Sequence, residues 1–397
     1  LIQVTVMKGE LEQMNISSFA GYALGASAAA MMLAGCGGGS PSSATSAVGL
    51  PQRSVASSHY IFPSKRLIAM TNARGFVPEP SHRRGKSWVN PMAKHTEYLL
   101  YVADTGGTGN YDIYNYKSQA GHLFGTLHPG SFGFSMPTGS CEDTAGNVYI
   151  IDAGSGLLWQ FPHGSSSGTS VAITNAMMPL GCSVDPTTGN IAVSNFGNST
   201  MNIFQGGFGG TQMLSTALEP YMWGPGYDPS GNLFVESEYS QFTSIELEEL
   251  PAGSSTWRVI SLPNQPCGNP FCFPDSVQWD GTYLEAGDQN FGTTNNNYPT
   301  DIMGAFRISV SGSTGTEVSS VSYNGNCAPS NLTADALQIF VGGTTRAMNG
   351  AVFGNIDCTG NVNYYNYTAG GAAKRSLPVN IAPVQAGYGI SVSAMKR

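Results

Sequence analysis

PTGSCEDTAGNVYIID, residues 137–152, reads as a short strand, a tight turn carrying Asp and Gly, and a second, apolar strand. The pattern returns as PLGCSVDPTTGNIAVSN from Pro179, PYMWGPGYDPSGNLFVES from Pro220 and PDSVQWDGTYLEAGD from Pro274. The anchoring acids are Asp143, Asp185, Asp228 and Asp280, spaced by 42, 43 and 52 residues. A strand-turn-strand unit recurring every ~40–50 residues is the mark of β-propeller blades, since one unit cannot bury its faces alone and must stack on the next. Each repeat Asp precedes a Gly-containing turn, where a short acceptor side chain holds the bend, so these four are read as structural.

Outward from these copies, YLLYVAD opens a first blade at Tyr98, with strands near YDIYNY and HLFGTLH after it. Further blades are expected over 134–175, 177–217, 219–263, 273–325 and 328–380. The first lacks an inner strand, and the C-terminal stretch VQAGYGISVSAM (384–395) alternates like a strand without a blade of its own. It is expected to join blade one and close the ring, which removes the edges that would template aggregation. The expected fold is therefore all-β, a six-bladed propeller over residues 98–397, with a polar insertion from Gln289 to Asp301 in blade five.

The chain has 397 residues, a net charge of −8, only 11% charged residues and 51 glycines, a balance that suits an exported β-protein. The charge is uneven. Arg53, Lys65, Arg66, Arg74, Arg83, Arg84, Lys86 and Lys94 face a single acid, Glu79, between residues 51 and 95. The repeats are consequently acidic, which argues against nucleic acid as a partner. The basic stretch suits a solvated tether, or contact with anionic lipid headgroups near an anchor.

Residues 19–35, FAGYALGASAAAMMLAG, are apolar, short and rich in Ala and Gly, and end in Leu33-Ala34-Gly35-Cys36 before Gly37-Gly38-Gly39-Ser40. This resembles a bacterial lipoprotein signal with its lipobox. The resemblance implies cleavage before Cys36, lipidation of that residue and attachment to the cell envelope. Gly37, where inner-membrane lipoproteins carry Asp, implies the outer membrane if the cell has one. The flank departs from the pattern, with Lys8 beside Glu10 and Glu12, and a start at Met7 or Met14 is expected. The domains are then 1–36 signal peptide, 37–97 tether and non-repeat strap, and 98–397 propeller.

Setting Cys36 aside leaves Cys141, Cys182, Cys267, Cys272, Cys327 and Cys358, an even set that suggests disulfides in an exported protein. Cys267 and Cys272 share one loop, and Cys327 and Cys358 flank the same late repeat. Cys141 and Cys182 lie in equivalent inner strands, offset by one residue. That offset turns their side chains to opposite faces, as a bridge between adjacent blades requires.

The P-x-G starts at Pro137 and Pro179, the Asp/Gly-Asn turns and strands such as VYIID and LFVES resemble the NHL family and its six-bladed relatives. These relatives include gluconolactonase-like and streptogramin-lyase-like propellers. The resemblance implies that the start of strand one and the end of strand two ring one mouth of the central channel. Asp104, Asp152, Asn195, Glu236, Glu238, Asp275 and Asp288 are expected there, with Tyr221, Met222 and Trp223 beside them. Asp104 and Asp152 recur at equivalent positions, which favours strand-end caps. Glu236, Glu238, Asp275 and Asp288 break the repeat and are the candidate ligands for Ca²⁺ or another divalent cation.

Histidine offers little. His59, His82 and His95 precede the blades, and His122, His128 and His163 are expected on outer strands or surface turns. The lyase relatives need a general-base His near the channel, so this pattern speaks against a lyase mechanism. Aromatics on a polar face, by contrast, stack on sugars or anchor peptides. Tyr221, Trp223, Phe271, Phe273, Phe291, Tyr298 and the run Tyr364-Tyr365-Asn366-Tyr367 are candidates, with Asn195 as a polar partner. The expected function is a lipid-anchored binding or scaffold module on the envelope, recognising a protein or glycan. The alternative is a metal-dependent, lactonase-like hydrolase at the acidic mouth.

Overall fold

The computed structural model describes residues 86–104, 109–116, 122–130, 133–217, 219, 221–239, 244–263, 274–288, 302–324, 337–339, 351–356, 361–367, 369–378 and 389–395. Residues 1–85, which hold the signal-like segment with Cys36 and all of the tether and strap before Lys86, lie outside them, as do Cys267, Cys272, Cys327, Cys358, Phe271, Phe273, Phe291 and Tyr298.

β1 (Trp88–Val89), β2 (Tyr98–Asp104), β3 (Asn110–Asn115) and β4 (Leu123–Leu127) come first. β5 (Pro137–Glu142), β6 (Val148–Asp152), β7 (Leu157–Phe161) and β8 (Thr169–Ala172) make an antiparallel sheet in chain order. So do β9 (Pro179–Val184), β10 (Ile191–Asn195), β11 (Thr200–Gln205) and β12 (Thr211–Thr216). β13 (Gly226–Tyr227), β14 (Leu233–Tyr239), β15 (Ser244–Leu250) and β16 (Arg258–Ile260) follow the same plan. β17 (Pro274–Trp279), β18 (Leu284–Asp288), β19 (Ile302–Ser311) and β20 (Thr314–Asn324) do likewise.

The remaining strands are β21 (Leu337–Ile339), β22 (Ala351–Ile356), β23 (Asn361–Asn366), β24 (Gly371–Ala372), β25 (Arg375–Pro378) and β26 (Ile390–Ala394). β21, β22, β23 and β25 pair in that order, and β24 extends the β17–β20 sheet by parallel pairing with β20. β26 runs antiparallel to β2, with Tyr98 opposite Ala394 and Val102 opposite Ile390, so the first sheet reads β1-β4-β3-β2-β26.

Each sheet is covered on both faces by its neighbours, which is why the second strands read as mostly apolar runs, broken by Glu236 in β14 and Glu285 in β18. Successive side chains of a strand point to opposite faces. In β2, Leu99, Tyr101 and Ala103 pack on Val148, Ile150 and Phe161, while Leu100 and Val102 pack on Val362, Tyr364 and Leu377. The other layers are built alike. Tyr149 and Ile151 meet Ile191 and Val193. Ala192 and Ile203 meet Leu233 and Val235. Phe234 and Leu247 meet Leu284 and Ala286. Tyr323 meets Tyr365.

The innermost strands are packed edge to edge: β5 beside β9, β9 beside β13, and β13 and β14 beside β17. The P-x-G motif explains how they come so close. A Cβ on Gly139 would stand 2.2 Å from the Leu180 carbonyl oxygen, and one on Gly181 2.7 Å from Gly224 Cα. Glycine at these positions lets the inner backbones approach with nothing between them.

The repeat acids cap their turns. Asp143 Oδ1 accepts from the amides of Ala145 (2.9 Å) and Asn147 (2.8 Å). Asp228 Oδ1 accepts from Ser230 (2.8 Å) and Asn232 (2.9 Å), and Asp280 Oδ1 from Thr282 (2.7 Å) and Tyr283 (2.6 Å). Cys141 of β5 and Cys182 of β9 form a disulfide, with their Cα atoms 5.6 Å apart. The one-residue offset between the two copies faces the two sulfurs toward each other.

Candidate functional site at the rim where the second strands end

β6, β10, β14 and β18 all finish at one end of their sheets. Asp152, Asn195, Glu236 and Asp288 lie in the last residues of these strands or near them, Asp275 begins β17 after Pro274, and Tyr221 and Trp223 lie in the loop before β13. Two of these residues are held entirely by their own loops. Asp152 accepts from the amides of Ser135 (3.0 Å) and Met136 (2.7 Å) and from the Ser155 hydroxyl (2.6 Å). Asn195 is fully buried. Its Oδ1 accepts from the Met177 amide (3.3 Å), and its Nδ2 donates to Asn202 Oδ1 (2.7 Å) and Thr200 Oγ1 (3.2 Å). Both side chains fix loop geometry and present no polar atom outward. Asp104 is likewise buried at the end of β2.

Glu236 is different. It occupies the strand position that Ile151, Ser194 and Gly287 fill in other sheets, and it is 0% exposed. Its Oε2 accepts from the Asp275 amide (3.3 Å), and the Gly287 amide also donates to the carboxyl. Oε1 is buried with no hydrogen-bond partner among the described residues. Burial pushes the carboxyl well above the usual range, and the charges of Asp275 and Asp288 push it further. The result is an acid that favours its neutral form, wedged between β14 and the β17–β18 hairpin.

The strands around Glu236 are tied tightly. Trp223 N–H donates to the Glu236 carbonyl (2.9 Å) and Gly224 N–H to that of Asp275 (3.0 Å), while Val277 N–H donates back to Gly224 (2.9 Å). A Cβ on Gly224 would meet Ser276 Cβ at 2.6 Å, so only glycine fits. Asp275 and Asp288 are brought beside Glu236, but among the described residues no three His, Cys, Asp or Glu side chains are grouped so as to hold a metal ion. Glu238 lies on β14 opposite Ile245, and its side chain is outside the described set.

Two of the aromatic candidates, Tyr221 and Trp223, share one cluster with Phe196. Phe196 lies 5.1 Å from Tyr221 and 5.4 Å, edge-on, from Trp223, ring centre to ring centre. Leu180 and Met178 complete the cluster. Trp223 is buried, and its indole N–H has no partner among the described residues. Met177, next to the cluster in sequence, is 54% exposed. The loops that present this group are strained. Asn175, Met178, Ser199 and Tyr221 have φ of 54°, 51°, 55° and 59°, the left-handed region that costs a residue with a Cβ on the order of 1 kcal/mol or more. All four of the chain's described non-glycine residues of this kind lie in these neighbouring loops.

Phe196 and Met178 went unremarked in the sequence, although Phe196 directly follows the strand-end Asn195 and Met178 directly precedes a repeat Pro. Glu285 was also passed over. It stands where other copies carry Tyr149, Ala192 and Phe234, and that break was the available signal. Arg307 pairs with Asp280 (2.6 Å) and Glu285 (3.1 Å), and the Tyr367 hydroxyl sits between the two carboxylates. Burial, then the Asp280 charge, pushes Glu285 up to about 8 against the pull of Arg307.

Two histidines expected on outer strands or surface turns are built into the packing. His128 is buried with Nδ1 2.8 Å from Asn110 Oδ1, and His163 bridges Ser393 Oγ (2.7 Å) and the Thr96 carbonyl (2.8 Å). Burial lowers the pKa of both.

No protein-family model matches this chain, and no curated protein matches it. Solved structures do. A chain in the crystal structure of a nidogen/laminin complex aligns with a TM-score of 0.53 at 12% identity, over 76% of this chain and 100% of that one. A protein of unknown function from Bacteroides caccae gives 0.49 at 13% identity, over 75% and 99%. A virginiamycin B lyase from Staphylococcus aureus gives 0.43 at 11% identity, over 70% and 84%. At such identities the likeness concerns fold alone, and only the first is close enough to carry it. Radially packed antiparallel sheets with short inner strands, together with that likeness, make this chain an all-β propeller.

Proposed function

We propose that the chain is an exported, lipid-anchored, six-bladed propeller of NHL-like type that acts as a binding module on the cell envelope. Recognition is through the rim loops of the third to fifth blades, and the partner is an envelope protein or glycan. The observation that carries this reading is the aromatic cluster of Phe196, Tyr221 and Trp223 on loops that hold four non-glycine residues in the left-handed region. Strain of this kind persists where a fixed side-chain presentation is needed. Phe196 and Trp223 are buried and serve as a rigid base, which leaves half-buried Tyr221 and exposed Met177 as the contact surface, held at low entropy cost. Six blades are supported by the sheet order, and ring closure by the β2–β26 pairing and the contact of β21 with β26. The lipid anchor rests on Leu33-Ala34-Gly35-Cys36.

The test uses the full chain with Cys36→Ser, immobilised and exposed to solubilised envelope fractions and purified envelope glycans. A partner should be retained by the parent and weakened about tenfold, roughly 1.4 kcal/mol, by Tyr221→Ala or by exposed Met177→Ser. Retention that neither substitution changes would remove the rim from the reading. Calorimetric titration of the same protein with Ca²⁺, Mg²⁺, Mn²⁺ and Zn²⁺ tests the hydrolase alternative. A metal that binds the parent but not Glu236→Gln would favour it over the binding-module reading.

A further inference from the structure

At the end of the sheets opposite the rim, a cleft of about 290 Å³ opens between the β13–β16 and β17–β20 sheets. That is near the lower end of small-molecule sites, which run from about 300 to 1,000 Å³, and is room for one ring-sized ligand. Its floor is apolar and buried, made by Phe234, Leu284 and Ile308. Trp279 and Val310 form half-buried walls, and exposed Thr282 and Ser309 stand at the lip.

The charges in the cleft are already spent on one another. The buried Glu249 carboxylate takes Arg258 in a fork, with Nε–Oε2 at 3.0 Å and Nη2–Oε1 at 2.9 Å. Asp228 holds its own turn through Ser230 N–H, Asn232 N–H and Asn232 Nδ2 (2.7 Å). A charged ligand would have to displace one of these bonds, and a purely apolar one would leave the lip hydroxyls facing it. A sugar ring has one C–H face and an edge of hydroxyls. It matches an indole wall over an apolar floor with two hydroxyl groups and a half-exposed guanidinium at the margin.

We propose that this cleft is a binding site for a single neutral hexopyranose unit, with Trp279 as the stacking wall and Thr282 and Ser309 as hydroxyl partners. It is separate from the rim and does not depend on what the rim binds. The probes are the methyl glycosides of glucose, galactose, mannose and N-acetylglucosamine, titrated into the full chain carrying Cys36→Ser and followed by ligand-observed NMR.

At least one probe should bind saturably. Trp279→Ala should weaken that binding about tenfold or more, while Trp279→Phe retains most of it. Should Trp279→Ala fail to fold, the exposed pair Thr282→Val with Ser309→Ala still decides, with an expected loss of about fivefold. Tyr221→Ala at the rim should leave the affinity unchanged. No saturable binding of any of the four probes overturns the proposal. So does binding that the lip variants leave unaltered, or binding that disappears with Tyr221→Ala.

Discussion

Glu236 is a rim residue whose buried environment decides its protonation. Unfolded, the carboxyl titrates near its ordinary 4.5, and folded it stays neutral to a much higher pH. Its contribution to stability is therefore intact below about pH 4.5 and is lost as pH rises toward the folded-state value. Glu236→Gln keeps the neutral shape without that loss. Thermal melts of parent and variant should coincide near pH 4 and diverge above it, with the variant several degrees higher by pH 8. Glu285→Gln should behave alike, with its divergence complete once pH passes about 8. Parallel melting curves across that range would show that both acids ionise freely in the fold. The sequence marked Glu236, Asp275 and Asp288 as breaks in a repeat. Asp288, however, stands opposite Pro274 as Asp152 and Asn195 stand opposite Pro137 and Pro179, so it keeps the strand-end position and only Glu236 and Asp275 depart from it. The sequence had no means of telling that Glu236 receives two backbone amides, or that Asn195 spends its amide on Thr200 and Asn202. Those facts depend on which atoms come within hydrogen-bonding distance, and a linear pattern does not encode them.

Strands and turns were far more legible, since each is governed by local rules that a repeat displays several times over. The Asp-to-Gly turns, the apolar second strands and the facing of Cys141 and Cys182 all follow from residue type and two-residue periodicity. The P-x-G glycines announced a motif, but its cause is a contact between different copies, Gly181 on Gly224, which only the assembled strands reveal. The disulfide ties β5 to β9 across a sequence separation of 41. In the chain-entropy account, removing a cross-link of that span costs about 4 kcal/mol, and measured losses commonly run to about 2–5 kcal/mol. Cys182→Ser, unfolded in urea without reductant, should show a loss in that range with a somewhat larger m-value, because the denatured chain without the cross-link exposes more surface. A loss below about 1 kcal/mol would mean that the packing of Ile151 on Val193 already holds these two blades in place.

At the scale of the molecule, the proposed ring depends on one short strand. β26 buries Ile390 and Val392 against Leu100, Val102, Val362 and Leu377, joining the first sheet to the last. Its polar face is also engaged. Ser391 Oγ lies 3.0 Å from Ser140 Oγ, and Ser393 Oγ donates to the Gly146 carbonyl at 2.6 Å beside His163. Around the same junction Arg375 donates to the Tyr116 carbonyl (3.1 Å) and lies 3.9 Å above the Tyr364 ring. Burying Ile390 and Val392 is worth about 1.5–3 kcal/mol each, a large part of the 5–15 kcal/mol that keeps a domain folded. Ending the chain after Gly389 should therefore lower the melting temperature by ten degrees or more. It should also leave β2 as an open edge, so that the protein self-associates during size-exclusion chromatography. A synthetic peptide of residues 390–395 added in trans should reverse both effects by pairing with β2 as an added strand. A truncated chain that stays monomeric at the parent's melting temperature would show that the ring does not rely on β26. The stabilising junction would then have to be sought in the Tyr116 and Tyr364 ring contact, the Arg375 bond to the Tyr116 carbonyl and the packing of Leu100 and Val102 on Val362 and Leu377.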